Sequence, residues 1–246
     1  MLPEILRIGP VTLHSFGLML AVGFLLIAWL AGKEFVRRGF SADTAGSCTL
    51  GAMVGGVLGA KGYYLIENWR ILAEDPLGSI FSGSGLTYYG GLIGGALGVL
   101  LVGRRAGVPL LTLVDMGGPL VALGYGVGRI GCFLNGDDYG RVSDLPWAIA
   151  FPKGTPPTLD RVHPTQLYEV VVSLAIFFFL WSKRGAWDDR PGFTFGLYLV
   201  LAGTERFLVE FIRLNAPVAL GLTMAQWISA ALILLGIVLI RRVRRR

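Results

Sequence analysis

The sequence predicts an all-α, polytopic membrane protein of about seven transmembrane helices, with its N-terminus outside and its C-terminus in the cytoplasm. Three observations carry that expectation. Hydrophobic residues make up 54% of the 246 and charged residues only 15%, where a soluble domain carries roughly 25% charged residues. Seven windows approach the length of about 20 mostly apolar residues that a bilayer core demands. The lysines and arginines gather in alternate flanks of those windows, as orientation in a membrane requires.

The windows are Val11–Ala31, Ala45–Ile66, Leu86–Val102, Leu110–Leu134, Thr165–Trp181, Phe193–Ile212 and Leu220–Ile240. The first, fifth and seventh are apolar nearly throughout, whereas glycine and polar residues dilute the second, third and fourth. With the N-terminus outside, the inner flanks hold Lys33, Arg37, Arg38, Arg104, Arg105, Lys183, Arg184, Arg190 and the five tail arginines from Arg241 onward. The outer flanks hold only Arg7, Arg70, Arg141, Lys153, Arg161 and Arg213. Six spans would leave one basic end on the wrong side. The segment Met1 to Pro10 lacks a basic start and a small-residue cleavage site, so it does not read as a cleavable signal peptide. Residues 1–246 therefore read as one integral-membrane domain, with Asn135 to His163 as a structured outer loop rich in Gly, Pro and Asp.

Other features fit the same frame. The second window carries Gly51, Gly55 and Gly59, and the third Gly90, Gly94 and Gly98. Stripes at four-residue spacing let helix backbones approach closely in lipid. The net charge of +6 owes much to the tail Arg241-Arg242-Val243-Arg244-Arg245-Arg246, which follows an apolar span and so points to topology and not to nucleic acid. Cys48 and Cys132 both lie in apolar stretches, which argues against a disulfide framework. No metal site and no cofactor are expected.

Chemistry is expected where charge enters lipid, because an arginine or lysine at a span centre costs about 2.5–3.5 kcal/mol. Lys61, Arg129 and Arg206 are such residues. In the sixth span Arg206 and Glu210 are four apart and share a helix face, so Glu210 can orient Arg206. Arg129 opens a cluster at the outer end of the fourth span, Gly128-Arg129-Ile130-Gly131-Cys132-Phe133-Leu134-Asn135-Gly136-Asp137-Asp138-Tyr139-Gly140-Arg141. Guanidinium groups bind phosphate through paired donors and keep their charge. Two of them on separate helices suit an anionic lipid head group. A third cluster, His163-Pro164-Thr165-Gln166-Leu167-Tyr168-Glu169, opens the fifth span. Gln166 and Glu169 share a face there and are expected to point into the bundle.

The segment Gly128 to Arg141 resembles the signature of the prolipoprotein diacylglyceryl transferases, and so does His163 to Glu169. Similar stretches are Gly9-Pro10-Val11 with Gly17-Leu18-Met19, Gly90-Gly91-Leu92-Ile93-Gly94, Arg206-Phe207-Leu208-Val209-Glu210-Phe211-Ile212-Arg213 and Gly221-Leu222-Thr223-Met224-Ala225-Gln226-Trp227. They run in family order over nearly the whole chain. The resemblance implies seven spans, a place in the bacterial inner membrane, and an active site toward the periplasmic or outer face. It implies transfer of the diacylglyceryl group of phosphatidylglycerol to the lipobox cysteine thiol of a prolipoprotein signal peptide, with release of glycerol phosphate and without a cofactor. That is the first step of lipoprotein maturation.

Carried over by position, the resemblance makes Arg129, Arg206 and Glu210 catalytic. It makes Arg129, Asp137, Gly140 and Arg206 contacts for the lipid head group and its loop, and Asn135, His163 and Gln166, within the matching segments, are expected beside them. Three positions depart from it: many members have histidine at Tyr89, tyrosine at Phe16 and asparagine at Cys132. Tyr89 is expected to take a proton-handling or orienting role in the histidine's place, and His163 to cap the fifth helix and brace the outer loop. Cys132 is not expected to form a covalent intermediate, since asparagine cannot. A lateral opening near the third and sixth spans would admit the lipid. The alternative reading is a family-derived protein that binds or transports anionic lipid with reduced or no transferase activity.

Overall fold

The computed structural model describes residues 2–8, 11–81 and 87–244. Gly9, Pro10, Leu86 and the last two arginines, cited above, lie outside the described residues. The chain folds into two compact units, Met1–Ile27 with Val114–Arg246, and Ala28–Leu113.

The first unit begins with a hairpin, β1 (Glu4–Ile8) paired antiparallel to β2 (Val11–His14). Helix α1 (Ser15–Arg37) starts directly after it, where the Ser15 amide donates to the Pro3 carbonyl at 3.0 Å. The first span therefore begins four residues later than the window at Val11, because residues 11–14 spend their backbone groups on the hairpin ladder. Helix α6 (Leu110–Asn135) carries the Arg129 signature to its last turn. A second small sheet, β3 (Ile149–Phe151) against β4 (Thr158–Val162), follows it. Its core is Tyr139 stacked on Phe151, with centroids 5.4 Å apart, closed by Val162. The segment between α6 and α7 is thus ordered by an aromatic core of its own, as a structured loop should be.

Helices α7 (Thr165–Ser182), α8 (Phe193–Val209) and α9 (Met224–Arg244) complete the unit. Asp115 of α6 fixes the start of α8: its carboxylate accepts from the Gly192 amide at 2.6 Å and from the Phe195 amide at 2.7 Å. An anion on the free amides of a helix N-terminus satisfies groups that have no partner within the helix. The sixth window is corrected at its far end, since α8 stops at Val209 and Glu210–Ile212 tighten into a 3-10 turn. Helix α9 starts at Met224, not Leu220, because a capping box precedes it. The Thr223 amide donates to Gln226 Oε1 at 3.0 Å, and the Gln226 amide donates to Thr223 Oγ1 at 3.3 Å.

The second unit is built on α2 (Ala42–Glu67) and α5 (Tyr88–Arg105), which pack chiefly on each other, with the short helices α3 (Trp69–Glu74) and α4 (Pro76–Phe81) between them in sequence. The Ser41 hydroxyl caps α2 by accepting from the Asp43 amide at 3.1 Å. The two glycine stripes meet backbone to backbone. A methyl group on Gly51 would lie 3.0 Å from the Gly98 carbonyl oxygen, and one on Gly55 or Gly94 would fall on the carbonyl of the other.

Among the described residues, four helices are long and apolar enough to cross a membrane by length and composition: Ser15–Arg37, Leu110–Asn135, Thr165–Ser182 and Met224–Val243. Of the remaining long helices, α2 and α5 are diluted by their glycines and α8 is 17 residues long.

Candidate active site

Within the first unit, the charges that α6, α7 and α8 carry into apolar surroundings are wired into one network. Glu169, on the first turns of α7, is fully buried; its Oε2 lies 3.0 Å from Arg129 Nε and 3.7 Å from Arg213 Nη1. Its other oxygen accepts from the Tyr125 hydroxyl at 2.7 Å, and that hydroxyl accepts from Arg129 Nη2 at 3.0 Å. Asp138 bridges the same two arginines from the loop side, with Oδ2 2.6 Å from Arg129 Nη1 and Oδ1 2.6 Å from Arg213 Nη2. Glu210 extends the chain, at 3.7 Å from Arg213 Nε and 2.6 Å from Arg206 Nη1. Asn215 and Thr223 each donate to the second Glu210 oxygen at 2.8 Å. Buried charges are tolerated only when paired, and Arg129 Nε and Glu169 Oε2 are held by their ion pair alone, without a hydrogen bond.

Backbone geometry holds the acids in place. Asp138 adopts a left-handed φ of 63° and Gly136 one of 77°, so the chain turns sharply at the end of α6. Burial pushes the Asp138 carboxyl up, but Arg213 and Arg129 outweigh it and hold it below the usual carboxylate range. Gly140 bridges to Arg213 and donates to the His163 carbonyl at 2.9 Å. A side chain there would start 2.6 Å from the Ile212 carbonyl oxygen and 2.8 Å from Thr165 Cγ2. Only glycine lets these three segments cross.

The other expected residues fall around this network. Gln166, buried, donates to the Asp137 carbonyl, and Thr165 Oγ1 donates to the Asp138 carbonyl at 2.7 Å. Gln166 and Glu169 thus face inward as their spacing implied. Asn135 ends α6 and donates to Asp137 Oδ2 at 2.9 Å, while Asp137 Oδ1 is buried without a partner among the described residues. His163 pairs its ring with the Tyr168 hydroxyl at 3.2 Å and exchanges backbone bonds with Gly140 and Arg141. It braces the loop, but it does not cap α7: the capping position is Pro164, with no side-chain bond. Cys132 Sγ lies 3.6 Å from Arg129 Nη1. Cys132, Asp137 and Asp138 bring potential ligand atoms within 4.8 Å of one another, yet Asp138 is already committed to two arginines. Tyr89 stands in the second unit, in the first turn of α5, with about half its surface exposed.

Openings between the described residues reach the first unit. A groove of about 480 Å³ runs between α7 and α8, lined mainly by Val172, Ile176, Leu201 and Leu208, with Tyr168 and Glu205 as its ionisable groups. It borders the sixth span on the side of the fifth. A polar pocket of about 280 Å³ lies at Asp137, Asp138, Tyr139, Thr155, Arg213 and Asn215.

Tyr125, Asp138 and Arg213 are network members not expected from the sequence, and Glu169, expected only to face inward, proves to join them. Arg213 was counted as a flank charge, and Asp137 was preferred to Asp138. The signal available was spacing: Tyr125 precedes Arg129 by four residues on one helical face, and Arg213 follows Glu210 by three, just past the 3-10 turn in extended backbone.

The sequence matches the family profile described as prolipoprotein diacylglyceryl transferase over residues 3–242. The chain belongs to this family. A phosphatidylglycerol–prolipoprotein diacylglyceryl transferase of Vibrio atlanticus is 35% identical over 96% of this chain and 89% of its own length. Proteins of the same name from Vibrio vulnificus strain CMCP6 and Aliivibrio fischeri strain MJ11 are each 37% identical, covering 96% and 94% of this chain and 89% and 82% of their own lengths.

Proposed function

We propose that this chain transfers the diacylglyceryl group of phosphatidylglycerol to the lipobox cysteine thiol of prolipoproteins, releasing glycerol phosphate. In this reading α1, α2, α5, α6, α7, α8 and α9 are seven spans of one integral-membrane domain in the bacterial inner membrane. The N-terminus and the active site face outward, and the C-terminus lies in the cytoplasm. Family membership, and the names its relatives carry, support the substrates.

One observation carries the site. Arg206 is the arginine the network leaves open: its side chain is 25% exposed, against 11% for Arg129 and 8% for Arg213. Only its Nη1 has a protein partner among the described residues, Glu210, so Nε and Nη2 present a fork to an incoming phosphate. Glu210 fixes that fork. Arg129 has a partner beside every nitrogen, although Nε meets Glu169 as an ion pair without hydrogen-bond geometry, and its most exposed partner is Asp138 at 43%, the partner a lipid phosphate can displace. Arginines held in place before reaction stabilise charge as it develops on the departing phosphate. The thiolate sulfur attacks the glycerol carbon, the carbon–oxygen bond to phosphate breaks, and its electron pair stays on glycerol phosphate.

The test is complementation of a bacterial strain depleted of its own transferase, read as thioether-linked diacylglycerol on a reporter lipoprotein. Restored modification is expected. A well-expressed chain that leaves the reporter unmodified refutes the assignment.

A further inference from the structure

Glu205 stands apart from every other acid in this site. It neighbours Arg206 on α8 and lines the apolar groove between α7 and α8, half-buried. Among the described residues it has no hydrogen bond and no ion pair, whereas Asp138, Glu169 and Glu210 are each bonded to at least one arginine. The charged groups within its electrostatic reach are Glu169 of α7, Arg129 of α6, Arg206 of its own helix and Arg213 after it. The groove also presents the Tyr168 hydroxyl. A carboxyl within a membrane span and outside any ion pair is costly to keep and marks a functional group by default.

We propose that Glu205 is the proton acceptor for the prolipoprotein thiol, which reaches it through the α7–α8 groove. The inference rests on the transferase reading above. Charge decides which substrate meets which wall. The lipid phosphate is an anion, drawn to the open fork of Arg206 and repelled by a carboxylate. The thiol is neutral and arrives on an apolar segment that the Val172, Ile176, Leu201 and Leu208 lining accommodates. A thiol becomes nucleophilic only as thiolate, so its proton needs a base beside the sulfur. Glu205 Oε accepts that proton as sulfur forms its bond to the glycerol carbon. The carboxylic acid then returns the proton to the glycerol phosphate dianion as it leaves, which restores both charges. Glu169 cannot serve, because it is sealed and already holds Arg129 and Tyr125.

The experiment uses full-length protein in phosphatidylglycerol vesicles with two synthetic lipobox peptides, one bearing cysteine and one selenocysteine. A selenol ionises well below neutral pH and needs no base. Wild-type protein must first form thioether on the cysteine peptide; if it does not, the transferase reading itself fails. Given that activity, Glu205→Gln should lose on the order of 10²-fold or more in turnover on the cysteine peptide. It should recover to within about tenfold of wild type on the selenocysteine peptide, and the acid limb of its pH–rate profile should vanish. Equal turnover of Glu205→Gln and wild type on cysteine, or equal losses on both peptides, overturns the proposal. If Glu205→Gln fails to accumulate, Glu205→Asp carries the same comparison, and an unmoved acid limb in that variant overturns it.

Discussion

Arg206 and Asp138 show how single side chains divide the labour of the site. Among the described residues the Arg206 fork has two open nitrogens, because Glu210 takes only Nη1. Lysine keeps the charge but offers no planar pair of donors. Arg206→Lys should therefore fold and lose roughly ten- to a hundredfold in turnover, the value of one charge-assisted hydrogen bond of about 1.5–3 kcal/mol. Assay of thioether formation at matched protein level measures it, and wild-type turnover would remove Arg206 from phosphate binding. Asp138 acts on stability. Its carboxyl sits below the usual range in the folded state because Arg213 and Arg129 outweigh the burial that pushes it up. A depressed folded value means the acid contributes stability above its unfolded pKa of about 3.9, a contribution lost as pH falls through the folded value. Asp138→Asn should unfold at lower temperature than wild type at pH 7, by an effect of about 1 kcal/mol or less since 43% of the side chain is exposed. The difference should shrink as pH falls below about 4. A constant difference across that window would show that Asp138 acts by shape and not by charge.

At the level of helices, the glycine stripes are the feature that sequence spacing exposed most directly, because four-residue spacing is a property of one chain segment and needs no partner to be recognised. What spacing could not supply was the partner. That Gly51, Gly55 and Gly59 face Gly98, Gly94 and Gly90 emerges from backbone contact. The same limit applied at the active site. Arg206 with Glu210 was legible as one face of one helix, and so was Gln166 with Glu169. Asp138 bridging Arg129 to Arg213 was not, because those groups come from three segments joined only in space. Helix ends were misjudged where a polar device overrides hydropathy: a hairpin before Ser15, a 3-10 turn at Glu210, a capping box at Thr223. The helix contact itself is testable. A methyl group on Gly94 would meet the Gly55 carbonyl and lie 2.8 Å from Gly59 Cα, both rigid backbone. Gly94→Val should destabilise the protein by about 1–3 kcal/mol or more through overpacking. Gly62→Ala, where a methyl meets nothing within 4 Å, should stay within about 0.5 kcal/mol. Unfolding in detergent micelles compares the two, and equal midpoints would mean that the stripe does not hold α2 on α5.

For the whole molecule the proposed function turns on the side of the membrane each loop occupies, because that reading takes both substrates from the outer leaflet. Lys183, Arg184 and Arg190 sit between α7 and α8, and the tail arginines follow α9. Basic residues within short flanks are retained on the cytoplasmic side. The loop from Asn135 to His163 packs its own aromatic core, and the proposed orientation puts it outside. Two exposed positions report the difference: Asp160 in β4 and Ala186 between α7 and α8. Each is replaced by cysteine in a background where Cys48→Ala and Cys132→Ser remove the native thiols. In intact spheroplasts a membrane-impermeant maleimide should label Asp160→Cys and spare Ala186→Cys, and lysis should expose Ala186→Cys to the same reagent. The test is sharp because the two positions are separated by α7 alone, so one inserted span puts them on opposite sides whatever the remaining helices do. Labelling of both before lysis would mean that α7 does not span. The reverse pattern would place Arg129, Arg206 and Glu205 at the cytoplasmic face, where a prolipoprotein thiol awaiting modification on the outer side could not meet them.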